Sequence, residues 1–150
     1  MGRRQQAIED TRNEWRALGF YYDKDDRKWS FIGDKAGLLR FVQLLLDYAN
    51  DPANEGLSEH KHYGPYMYLE IMTASERSID GHAISGRLKD LNCLASIIEK
   101  TLTNCKPRDK FAIGAEYTPE AKLDLEFQVK EDGFDPSSID PMEWASKIDD

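Results

Sequence analysis

Residues 55–73, EGLSEHKHYGPYMYLEIMT, gather the side chains of this chain best suited to chemistry. His60 and His62 stand one residue apart, Tyr63, Tyr66 and Tyr68 follow within six positions, and Glu70 closes the run. Side chains of a strand alternate between faces, so imidazoles at i and i+2 point the same way and can share one metal ion. Zinc chemistry needs a third protein ligand and commonly a fourth. Glu70 can supply one only from a neighbouring strand. His82, the remaining histidine, aligns with Trp29, whose parity with Phe31 is that of the core. The expectation from sequence is therefore no metal ligand set and no cofactor.

Other catalytic chemistry has no signature. The chain lacks a glycine-rich phosphate loop, a G-x-S-x-G turn and an H-E-x-x-H helix. Cys93 lies one position from an apolar helical stripe and reads as packing rather than as a nucleophile. The carboxylates are scattered, and no pair stands out for acid–base work. The expectation is a protein that is not an enzyme, with a small metal-dependent enzyme using the His60/His62 strand as the alternative.

Two amphipathic helices organise the elements that carry these side chains. Leu38, Phe41, Val42, Leu45 and Ala49 recur at the spacing of one helix face, and Leu91, Leu94, Ala95, Ile98 and Leu102 repeat that spacing. Gly33 and Gly86 precede the two stripes at the same offset. With the offset widened by one, YGPYMYLEI lies over YTPEAKLDL, pairing Tyr63 with Tyr117, Pro65 with Pro119, Leu69 with Leu123, Glu70 with Asp124 and Ile71 with Leu125. We read an internal duplication of strand–strand–helix–strand units, approximately residues 19–64 and 66–118 of a single domain spanning 1–150. A final strand over 120–130 alternates Leu123, Leu125, Phe127 and Val129 with polar residues, and a tail follows over 134–150.

The expected fold class is α+β: an antiparallel sheet of about six or seven strands carrying the two similar helices on one face. An N-terminal helix around Gln5–Leu18 precedes it. Asp140 is expected to cap a short C-terminal helix, with Pro141 first and Glu143 completing the capping box. In that sheet Met67, Leu69 and Ile71 take the buried parity. His60, His62, Tyr66, Tyr68, Glu70 and Met72 then face outward, and at the positions of Tyr68, Glu70 and Met72 the second copy carries Lys122, Asp124 and Glu126. The duplication therefore assigns the first copy an aromatic surface that the fold does not require, suited to binding a partner through rigid rings with polar tips. The competing reading is that the N-terminal helix or the tail, with Trp144, covers this face.

The 150 residues carry 28 acidic against 20 basic side chains, a net charge of -8. Such a balance argues against nucleic acid, which needs a basic stripe, and permits a basic protein partner. The two cysteines lack the spacing of a disulfide or zinc framework, and no apolar run is long enough to span a membrane. The start, MGRRQQAIED, has no apolar signal core. The expectation is a cytoplasmic protein that engages neither membrane nor nucleic acid.

Three stretches, WSFIGDKAGLLRFVQLLLDYA, EHKHYGPYMYLEIMT and VKEDGFDPSSID, within about residues 15–140, resemble small bacterial α+β immunity proteins of polymorphic toxin systems. The run GLLRFVQLLLDYA followed by a histidine-containing strand is similar to one such family, in which a glycine-leucine helix precedes an H-x-H segment. The resemblance implies a protein that binds and blocks a cognate toxin domain encoded beside it. A structural or oligomerising module is the rival from a third class.

Overall fold

Both apolar stripes are buried along their full length, and the helices that carry them, α2 (Lys35–Ala49) and α3 (Leu88–Thr103), pack on each other. The computed structural model describes residues 2–149. Helix α1 (Arg3–Leu18) comes first and ends at Gly19, whose left-handed φ of 96° stops the helix by letting its N–H bond back to Trp15. The chain then forms β1 (Tyr21–Lys24) and β2 (Lys28–Asp34) around the expected turn, followed by α2. Next come β3 (His60–Tyr63), β4 (Leu69–Thr73), β5 (Ser78–Ile79), β6 (Ile84–Gly86), α3, β7 (Lys110–Ile113) and β8 (Asp124–Lys130).

The α+β class holds, but the single antiparallel sheet does not form. The strands divide into two four-stranded mixed sheets, ordered β1-β2-β8-β7 and β3-β4-β6-β5. In each, two antiparallel hairpins meet through a central parallel pair, β2 with β8 and β4 with β6. Alternation along a strand reveals its buried face and says nothing of which strand lies beside it, which is why the division is invisible in the sequence. Each half of the chain runs hairpin, helix, hairpin, and each sheet takes one hairpin from each half.

The registers also define which positions correspond. Tyr63 lies opposite Leu69 and Ile113 opposite Leu125, so Tyr63 corresponds to Ile113. Tyr117, its counterpart by sequence, lies beyond the end of β7. By the same register Tyr68 answers to Asp124, Glu70 to Glu126, His62 to Ala112 and His60 to Lys110.

Aromatic rings fill the first sheet's inner face. Phe31 and Phe127 stack at 5.1 Å, and Phe41 of α2 sits 4.5 Å from Phe31. The sheets are joined by hydrogen bonds from buried aromatics to backbone. Trp29 Nε1 donates to the Asp80 carbonyl at 2.9 Å, and Tyr117 OH to that of Ser85 at 2.7 Å. The tail packs on α1: Arg4 donates to the Ile148 carbonyl at 3.0 Å, and Arg16 pairs with Asp135 at 3.0 Å. Its expected helix is replaced by 3-10 turns at Pro136–Ser138 and Glu143–Lys147. Asp140 caps neither, because one oxygen accepts from Met142 N and the other is drawn to Trp15 and Tyr66. Among the described residues no helix is long and apolar enough to cross a membrane.

Candidate functional site

The site is built on the β3–β4 hairpin, whose register sets Glu70 directly across from His62 and Met72 across from His60. The connecting loop turns at Gly64, with φ of 90°, and at Met67, with φ of 61°. Only glycine suits the first position, since a side chain is strained at this left-handed φ and its Cβ would strike the Tyr22 ring. Met67 is thereby turned into solvent rather than onto the buried side expected of it, and the strand begins only at Leu69.

One hydroxyl fixes this loop. Tyr22 OH donates to the Tyr63 carbonyl and accepts from the N–H groups of Tyr68 at 3.1 Å and Leu69 at 3.2 Å. Burial pushes the Tyr22 phenol above its ordinary value, although the two N–H groups oppose the shift. The ring thus stays a neutral donor.

Outward from the loop the expected residues separate into two groups. Tyr68 is 66% exposed, whereas Tyr66 is partly buried under the tail, where its hydroxyl donates to Asp140 and accepts from Trp144 Nε1 at 2.6 Å. The tail therefore covers Tyr66 and leaves Tyr68 open, its ring 5.8 Å from that of Tyr66. Burial, reinforced by Asp140, raises the Tyr66 phenol well above its usual value. Beside these rings lies a cleft of about 1040 Å³, floored by Trp15, Tyr22 and Trp29 and rimmed by Tyr68, Trp144 and Glu143. Strand parity places Trp29 on the core side, but the sequence does not single out Trp15 or Tyr22 as lining a shared cleft. Nothing local marks that α1, β1 and the tail converge here.

The second group is His60, His62 and Glu70. Both imidazoles are exposed, and their Nε2 atoms lie 4.0 Å and 3.8 Å from Glu70 Oε1. The neighbouring strand does bring Glu70 to the histidine pair, the condition under which a shared metal site becomes geometrically open. His82 is elsewhere: it is exposed in the Asp80–Ala83 turn, where its N–H and that of Ala83 are held by the Asp80 carboxylate, so it does not take the core parity expected of it. Cys93 and Cys105 are free thiols. Burial pushes the Cys105 thiol up, away from nucleophilic character. No family model matches the chain, and no curated protein or solved structure is significantly similar to it.

Proposed function

We propose that this protein is a non-catalytic binding protein of the bacterial cytoplasm, an immunity protein that neutralises a cognate toxin domain. The partner docks on His60, His62, Tyr68 and Glu70 and on the adjoining aromatic cleft, which Tyr66 helps to line. The observation that carries this reading is Tyr68, a large ring 66% exposed beside a preformed cleft, where the equivalent position of the second half holds the ordinary charged residue Asp124. A rigid exposed aromatic next to a concave apolar surface is the composition of a binding hot spot. The cleft rim carries Asp23, Asp140 and Glu143 against Lys24 alone, in a chain of net charge -8. That balance favours a basic partner, whose lysine or arginine gains from the aromatic faces and whose approach the field steers.

The test is titration of the purified protein with the product of the adjacent gene. Tyr68→Ala is expected to cost about 2 kcal/mol, roughly thirtyfold in Kd, with the melting temperature preserved because the ring supports no core contact. Unchanged affinity in the variant, or a protein that unfolds while each folded molecule still binds normally, would overturn the assignment.

A further inference from the structure

We propose that His60, His62 and Glu70 form a surface site for one divalent ion of the zinc class, with coordination positions left open to water or to a donor from a docking partner. The inference stands apart from the toxin-binding reading. It rests on the internal geometry of the hairpin.

The orientation of the two imidazoles is fixed by backbone. His60 Nδ1 lies 3.0 Å from the Ser58 carbonyl and His62 Nδ1 lies 3.0 Å from the Met67 carbonyl. A carbonyl can only accept, so each Nδ1 carries a hydrogen, and in the neutral ring each Nε2 then presents a free lone pair. This is the arrangement that holds metal-binding histidines in the correct tautomer, one nitrogen anchored by an outer partner and the other left for the ion. The ligand atoms of His60, His62 and Glu70 all lie within 4.8 Å of one another. The Nε2 to Oε1 separations of 4.0 and 3.8 Å are too long for hydrogen bonds. A tetrahedral ion with bonds near 2.1 Å holds its ligand atoms about 3.4 Å apart, so modest side-chain adjustments close the site. The histidine side chains, 48% and 39% exposed, have room for them.

The other half of the molecule supplies an internal control. Glu126, the register counterpart of Glu70, is held by Lys28 Nζ at 3.0 Å from each of its oxygens. Burial pushes its carboxyl up, but the Lys28 contact and other favourable partners outweigh it and lower the pKa. In the second sheet Ile84 pairs with Ile71 as Phe31 pairs with Phe127, which makes Gly81 the counterpart of Lys28. Glu70 thus lacks the lysine that satisfies its counterpart. Among the described residues its side chain has no hydrogen-bond partner, although it is only 19% exposed, and the two imidazole Nε2 atoms lie 4.0 and 3.8 Å from its Oε1. The fold can neutralise a carboxylate here with a lysine. In this copy it sets two oriented imidazoles there instead. Two nitrogens and one oxygen select a borderline ion such as Zn²⁺ over Ca²⁺ or Mg²⁺, which take oxygen ligands.

The experiment titrates ZnCl₂ into the 150-residue, chelator-stripped protein by calorimetry, with Co²⁺ absorption as a second readout of coordination. One ion per chain is expected, with a visible Co²⁺ band of tetrahedral type. His62→Ala and Glu70→Gln should each weaken binding by more than about tenfold, while His82→Ala leaves it unchanged. Circular dichroism establishes that each variant is folded. Equal stoichiometry and affinity in the parent and His62→Ala, or no heat and no Co²⁺ band in the parent, would overturn the proposal.

Discussion

Replacing Tyr22 by phenylalanine removes one oxygen and leaves the ring with its neighbours, Trp15 at 5.3 Å and Trp29 at 6.3 Å. The lost hydroxyl gave one hydrogen bond, to the Tyr63 carbonyl, and received two, from the N–H groups of Tyr68 and Leu69. The Leu69 residue is 0% exposed, so its orphaned N–H cannot recover a water partner without the hairpin opening. A buried donor left unpaired costs about 1–3 kcal/mol, whereas the Tyr68 N–H, beside an exposed residue, can turn to solvent at little cost. The expected loss is about 2 kcal/mol, which in a protein of this size lowers Tm by roughly 4–8 °C. Thermal and urea melts measure it, and amide exchange localises it to Leu69 and the Gly64–Tyr68 loop. A change under about 0.5 kcal/mol with Leu69 protection intact would show that the Tyr22 hydroxyl does not hold the β3–β4 loop.

Leu69→Ala, on the buried side of the hairpin that carries Tyr68, should lose about 2–5 kcal/mol by cavity formation, read from urea midpoints. A loss below about 1 kcal/mol would contradict the packing described. Gly37→Ala in the first turn of α2 would drive a Cβ into the Gly19 carbonyl oxygen, so its melts should show destabilisation instead of the gain alanine brings to an open helix. Arg16 holds the Asp135 carboxyl down to about 2 by its hydrogen bond. Because the folded pKa is depressed, the stabilisation is complete above the unfolded value of about 3.9 and fades as pH falls towards 2. Both side chains are substantially exposed, 51% and 40%, so solvent screening keeps the pair's contribution small. Melts at pH 5.5 and 2.5 should therefore show the parent losing slightly more than Asp135→Asn, and equal losses would remove the pair from the ledger.

The helices were legible because their stripes repeat over whole turns, and every stripe residue is buried as the spacing requires. The outward direction of His60, His62 and Glu70 was legible from strand parity, whereas Tyr68 is open in the loop before the strand begins. Parity failed at Met67, where a left-handed residue breaks the strand, and at His82, which a turn lifts off the sheet. The partition into two sheets depends on pairing between segments as far apart as Lys28 and Asp124, for which no local pattern exists. Asp140 offers the same lesson at the scale of one side chain. Its sequence context is that of a helix cap, but indole and phenol donors from Trp15 and Tyr66 take the carboxylate.

The exchange of hairpins between halves has a kinetic consequence. Strand β2, with Trp29 and Phe31 on its inner face, is an open parallel edge until Asp124–Lys130 emerges near the end of the chain. Contacts between segments so remote in sequence slow folding, and an apolar edge left waiting is prone to pair with another copy of itself. The nascent chain is therefore at greatest risk of aggregation after α2 and α3 have packed and before its last strand arrives. The same dependence makes the halves reciprocal templates: a chain cut between Thr73 and Ser78 yields two fragments with complementary edges, each able to complete a sheet only in the presence of the other.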